Sequence, residues 1–232
     1  ERAAGGVGMI ITGGIAPNEE GGMVFRDENG DAVFTASKLS TDAEADGHKL
    51  ITDAVHTADP DVKICMQILH MGPLAMNDQL VAPSAVRSRI SKFTPNELDA
   101  EGIEKQIEDH VNCARLAQKA GYDGVEIIGS AGYLISTFLV EKTNMRTDEY
   151  GGSYENRMRF ALEVVRQCRA AVGEDFIIIF RIAGMDMLEG GMSWDEVALL
   201  ARELEKAGAS VISTHFTWHE SAVPTIATMV PR

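Results

Sequence analysis

Five short stretches of this 232-residue chain carry side chains whose types could do chemistry. They are Thr12-Gly13-Gly14, Gln67 with His70, Gly129-Ser130-Ala131-Gly132-Tyr133, Arg181, and His215 with Trp218-His219. Gly13-Gly14 has no side chain to hold a flat ring away from the backbone, so it permits close approach of a ligand; taken alone, the pair is better explained as an ordinary turn. An amide donates and accepts at once, so Gln67 suits the edge of a pyrimidine-like ring, with a satisfied core amide as the competing reading. Arg181 closes the apolar run Phe176-Ile177-Ile178-Ile179-Phe180. Its permanent charge needs an anionic partner, either a ligand or an internal ion pair with Glu126 or Asp186. Tyr133 lies in a glycine-containing loop, where its phenol could give up a proton despite an ordinary pKa of about 10, whereas most loop tyrosines merely pack. His219, beside Trp218, is a candidate hydrogen-bond donor to a substrate carbonyl. His215 and His219 have i, i+4 spacing, but a metal pair at that spacing needs a helix and this stretch follows a strand, so no metal site is expected. Brought to one rim, these groups would make an active site for a planar heteroaromatic ligand.

Bringing them to one rim requires a parallel sheet. Five β-rich apolar runs, Val7–Thr12, Val62–Ile68, Gly124–Ile128, Phe176–Arg181 and Ser210–Thr214, are too short for helices. Their nearly unbroken apolar character predicts strands buried on both faces. Amphipathic stretches between them, Glu44–Ala58, Asn96–Ala120, Tyr154–Val172 and Trp194–Ala207, predict helices, with Ser153 and Ser193 as N-caps and Ser193/Glu196 at capping-box spacing. Lys119-Ala120-Gly121, Lys206-Ala207-Gly208 and Arg2-Ala3-Ala4-Gly5-Gly6 each read as a helix end with a glycine cap, followed by a strand. Repetition of that unit predicts βα modules, arranged as a barrel or as a doubly wound sheet. Connections after strands, such as Leu69–Asn96 and Gly129–Ser153, are long, and those before strands are short. That asymmetry puts function at the C-terminal ends of the strands in either architecture.

Composition narrows the classes. Twenty-one basic against 35 acidic residues give a formal charge of −14, which disfavours a nucleic-acid or anionic-membrane partner. Cys65, Cys113 and Cys168 are widely spaced without a CxxC pair and read as reduced core thiols. No apolar run approaches the ~18 residues of a membrane span and no signal-peptide pattern opens the chain, so a cytoplasmic protein is expected. The length falls a little below the ~250 residues of a closed barrel, and no linker or second domain is evident within residues 1–232.

Several motifs together resemble the flavin-dependent reductases of the Old Yellow Enzyme type, and within them the bacterial 2,4-dienoyl-CoA reductase branch. They are Gly13-Gly14-Ile15-Ala16-Pro17, Gln67-Ile68-Leu69-His70, Gly129-Ser130-Ala131-Gly132-Tyr133-Leu134-Ile135, Arg146-Thr147-Asp148-Glu149-Tyr150-Gly151-Gly152-Ser153 with Asn156-Arg157, and Trp218-His219-Glu220 running into Pro224-Thr225-Ile226-Ala227-Thr228-Met229-Val230-Pro231-Arg232. The resemblance implies a (β/α)8 TIM barrel holding FMN, of which this chain would supply strands 2 to 6. Gly14, Gln67 and Arg181 match flavin-contacting positions, Tyr133 matches the proton donor, and His219 matches a residue beside the substrate's thioester carbonyl. Lys142 and Trp218 fall at substrate-side positions, and Arg87, Arg89 and Lys92 could meet CoA phosphates or simply form a solvated basic patch. In the full-length protein the resemblance further implies FAD, a 4Fe-4S cluster and NADPH.

Two departures bear on the branch. Ile128 and Ala131 stand where enone reductases of the wider family place His and Asn or His to hold a carbonyl, which shifts that task to His219. Pro73 stands where an arginine is usual and removes its charge and a backbone donor. The Arg146–Arg157 stretch reads as scaffold. The expected activity is FMN-dependent reduction of 2,4-dienoyl-CoA. The alternatives are a related enone reductase or amine dehydrogenase, and an incomplete barrel that binds no flavin by itself.

Overall fold

The computed structural model describes residues 1–26, 28–29, 32–35 and 37–221. The motif at 224–232 lies outside them. After a 3-10 turn at Ala3–Gly5, the chain runs through β1 (Met9–Ile15), β2 (Val24–Arg26), β3 (Ala32–Thr35), α1 (Asp42–Ala58), β4 (Lys63–Ile68), β5 (Val81–Ala82), β6 (Asn96–Glu97) and α2 (Ala100–Lys119). It continues with β7 (Gly124–Gly129), α3 (Leu134–Leu139), α4 (Tyr154–Arg157), α5 (Arg159–Val172), β8 (Ile177–Met185), α6 (Trp194–Ala207) and β9 (Val211–Phe216).

Five strands form one sheet in the order β1-β4-β7-β8-β9, every neighbour parallel. Spatial order follows chain order without reversal. A doubly wound sheet reverses at its switch point, so of the two architectures open in the sequence the observed order is that of a barrel wall. The two other strand pairs, β2–β3 and β5–β6, lie in the connections that follow β1 and β4.

The helices sit where local chemistry starts and stops them. Thr41 and Glu44 close a capping box on α1, as Ser193 and Glu196 do on α6, and Ser153 Oγ accepts from the Asn156 amide at the start of α4. Gly208 ends α6 at φ 110°, a left-handed conformation natural to glycine. On α5 the buried set Phe160, Ala161, Val164, Val165, Cys168 and Val172 recurs at helical spacing and packs between α2 and α6. Burial of each large apolar side chain there contributes about 1.5–3 kcal/mol against the unfolded chain. All three cysteines are free and buried, and burial pushes the Cys65 and Cys168 thiols up to about 12.

Several elements differ from expectation. β1 continues through Gly13-Gly14 to Ile15 by way of a register shift against β4, so the glycine pair lies inside a strand and is not a turn. β8 runs on to Met185 and β9 to Phe216, which places Arg181 and His215 within strands instead of at their ends. Asn96–Glu97 pairs as β6, and α2 starts only after its N-cap Asp99. The helix expected over Tyr154–Val172 breaks at Met158, where Arg157 turns inward and donates to Leu139 O and Gly152 O. The long connection after β7 hides a helix, α3, whose six residues are all buried.

Candidate active site

The rim forms from adjacent strands. Gln67 on β4 lies in register with Glu126 on β7, and its Nε2 donates to Glu126 Oε2 at 2.5 Å. Glu126 is fully buried, and its Oε1 lies 3.7 Å from Arg181 Nη1 on β8. The expected internal partner of Arg181 is therefore present, at a distance that leaves the guanidinium donors without a hydrogen bond among the described residues. Gln67 Oε1 is likewise unpartnered among them. At the bulge in β1, Thr12 Oγ1 accepts from Gln67 N at 3.1 Å and donates to Gly13 O. The Cβ direction of Gly13 is open, whereas that of Gly14 is filled by Leu69. Gly14 is bare for packing reasons, and the open surface is at Gly13.

Beyond β7 the chain turns sharply to present Tyr133. Ala131 (φ 67°) and Gly132 (φ 91°) are both left-handed. A Cβ on Gly132 would meet the Trp218 indole at 2.7 Å, so only glycine lets the loop lie on that ring. Ser136 Oγ accepts from Gly132 N at 3.0 Å and donates within the same turn, and Phe138 of α3 stacks on Phe160 of α5 at 4.2 Å. These contacts fix the helix whose N-cap is Tyr133. From the other side, His219 N donates to Ala131 O at 3.2 Å.

The result is a contact between Tyr133 Oη and His219 Nε2 at 2.7 Å, with the rings edge to face at 4.9 Å. Burial pushes the phenol up and the imidazole down, so both are neutral near pH 7 and share one hydrogen bond. Three non-glycine residues have positive φ among the described residues: Ala131, Met187 (53°) and Thr217 (93°). Thr217 flanks Trp218, and Met187 O accepts from Ser221 Oγ, so the backbone strain collects around this pair.

Beside it opens a cleft of about 470 Å³ lined by Lys142, Trp218, Gly132, Arg87, Arg89 and Pro73. Lys142 and Trp218 line it together, and Lys142 has no ion pair among the described residues. Arg87 donates to Ser91 O, while Arg89 reaches Glu220 O at 3.1 Å and its carboxylate at 3.6 Å. Lys92 faces a separate groove with Met76 and Phe93 and does not join the other two basic residues. Pro73 gives this wall a ring and no charge.

Not every rim candidate is on the rim. His70 is buried behind it, stacked with His110 at 6.0 Å, where its Nδ1 accepts from Gly72 N. His215 is half-buried on β9; burial first, then Arg181 and His219, holds it below the ordinary imidazole value. Glu126 is the site member that the sequence reading treated only as a partner for Arg181. A carboxylate inside an otherwise apolar strand was the available signal.

A sequence profile of the NADH:flavin oxidoreductase / NADH oxidase family matches residues 1–232. The chain belongs to that family. Among its relatives are a metal reductase of Desulforamulus reducens, 38% identical over 99% of this chain, and an NADH oxidase of Thermoanaerobacter brockii, 37% identical over 97%. A solved complex of 2-naphthoyl-CoA reductase with 2-naphthoyl-CoA superposes with a TM-score of 0.84 over 96% of the chain at 30% identity. The chain covers 33%, 34% and 35% of these three proteins, so it spans about a third of their length. Family membership and the consecutive parallel strands together make the sheet part of a (β/α)8 barrel, the fold class expected.

Proposed function

We propose that the full-length protein is an FMN-dependent, NAD(P)H-driven reductase of conjugated acyl-CoA thioesters, with 2,4-dienoyl-CoA as the substrate. The observation that carries this reading is the Tyr133–His219 pair at 2.7 Å beside a cleft that holds Lys142. Neither the Ile128 nor the Ala131 side chain can donate to a carbonyl, which favours the phenol and imidazole of the pair for that task.

The residues fit FMN on the cofactor side. Gln67 Oε1 has no partner among the described residues, Arg181 supplies donors and positive charge, and the open Gly13 gives a bare backbone surface. Bound there, reduced FMN supplies a hydride. Arg181 offsets negative charge on the ring system's pyrimidine edge, and Gln67 reads that edge. On the substrate side, His219 orients the thioester carbonyl and stabilises charge that collects on its oxygen. Tyr133 then gives its proton to carbon, and the neutral imidazole keeps the phenol protonated until that step. Trp218 walls the cleft, and Lys142 with Arg87 and Arg89 places positive charge where phosphates of a CoA chain would pass. FAD, a 4Fe-4S cluster and NADPH complete the proposed electron supply in the full-length protein.

Comparing turnover of 2,4-dienoyl-CoA, cyclohexenone and a secondary amine by the purified full-length protein tests the assignment. The dienoyl thioester should be reduced with a kcat/KM at least about a hundredfold above the enone, on the order of two well-placed polar contacts. A preference for cyclohexenone or for the amine would overturn it.

A further inference from the structure

We propose that Glu126 is a positioning residue for the cofactor edge of this site: its carboxylate fixes which way round the Gln67 amide lies, so that the amide oxygen faces the ligand. The inference rests on the FMN reading and adds a ligand preference to it.

A carboxylate facing an amide accepts only. With 2.5 Å between Gln67 and Glu126, an amide oxygen turned toward Glu126 would set two acceptors against each other, so the nitrogen must occupy that side. Glu126 is fully buried and paired in register with Gln67, so no solvent competes for the contact and the backbone holds the two side chains together. The other carboxylate oxygen makes no hydrogen bond among the described residues and lies 3.7 Å from Arg181. One buried carboxylate therefore sets two groups on different strands. It turns the β4 amide so that an acceptor points outward, and it offsets part of the charge of the β8 guanidinium, whose donors have no hydrogen-bond partner among the described residues. The matching ligand edge offers a ring N–H toward β4 and a carbonyl oxygen toward β8. A ring that carries C–H in place of that N–H leaves the amide oxygen unpaired on binding.

The test uses the natural full-length protein, apo and titrated with FMN or with 3-deaza-FMN, in which C–H replaces the pyrimidine N–H. Wild type should prefer FMN by about tenfold or more, the worth of one hydrogen bond. Glu126→Gln lets the partner donate as well as accept, so the Gln67 amide loses its single orientation. FMN should then bind about tenfold more weakly, the preference over 3-deaza-FMN should shrink toward parity, and the midpoint potential of the bound flavin should rise because Arg181 has lost its counter-charge. In a Gln67→Leu background the same substitution should no longer give the tenfold loss of FMN affinity, because the amide it orients is gone and only the charge effect through Arg181 remains. Unchanged FMN affinity in Glu126→Gln, or a full tenfold loss that persists in the Gln67→Leu background, overturns the proposal. If the variant does not fold, wild type that binds both flavins equally overturns it without any substitution. Wild type that binds neither flavin overturns the cofactor reading itself.

Discussion

A phenol and an imidazole that share one hydrogen bond hold each other in the neutral state until something else accepts the proton. In the proposed reaction Tyr133 gives a proton to substrate and His219 steadies the remaining charge, which requires the turn after β7 and the segment after β9 to stay in contact. Tyr133→Phe keeps the ring against His219 and removes the proton. In the full-length protein it should leave reduction of the flavin by NADPH within about twofold of wild type, yet lower product formation by about 10²-fold or more, the usual contribution of a general acid. Stopped-flow absorbance separates the two half-reactions, and equal loss in both would make Tyr133 a packing residue. At this scale the sequence was informative: the types and neighbours of Tyr133, Trp218, His219, Gln67 and Arg181 all marked polar groups beside apolar strands. Glu126 was legible only as a partner for Arg181; its contact with Gln67 and the reason for Gly14 were not, because a partner's identity depends on which residue stands opposite across a strand pair.

The elements show what the recognisable Arg146–Arg157 stretch does. Arg157 is buried and donates to Leu139 O at 2.9 Å, Gly152 O at 2.7 Å and the Glu196 carboxylate at 2.7 Å, which ties α3, the loop and α6 together. Asn144 Nδ2 reaches Phe138 O and Tyr150 O, and Arg146 reaches Pro83 O and Asp148. The stretch is scaffold, as its sequence indicated, and the load falls on α3, which carries Tyr133. Arg157→Ala removes one partner of a nearly buried pair and strands two carbonyls, and should destabilise the fold by about 3–5 kcal/mol. Denaturant unfolding of the natural protein measures this, and a cost below about 1 kcal/mol would show that the pair is replaceable. Capped helices α1 and α6 and the amphipathic α5 were readable from spacing alone. α3 was not, since its six residues are buried all round and show no polar face, and the extra residues of β8 and β9 are set by pairing between strands that local sequence does not describe.

For the molecule as a whole, burial of His70 against His110 makes stability depend on pH. Both imidazoles are fully buried and held below the ordinary value, chiefly by loss of hydration, with the charges of His110 and Lys105 adding to the effect on His70. The unfolded chain takes up protons near pH 6.5 and the folded chain does so only lower, so this contribution is complete above about pH 6.5 and is lost as pH falls below it. The slope is at most about 1.4 kcal/mol per pH unit for each group. Unfolding free energies at pH 7.5, 6.5 and 5.5 should fall in that order, more steeply than in a His110→Gln variant; parallel slopes would refute the assignment. The barrel itself was only half legible. Repeated helix–glycine–strand units and long connections after strands are shared with doubly wound sheets, and the choice was made by strand order, a property of the assembled sheet.

That strand order carries one more consequence. Each described strand joins the edge left by the strand before it, so every pairing among them links neighbouring modules. Such a wall has few long-range pairings to search for, and it can be laid down from its first strand onward while the ribosome is still adding residues, each new module docking on a template already formed. Until the next module arrives, the growing edge stays open.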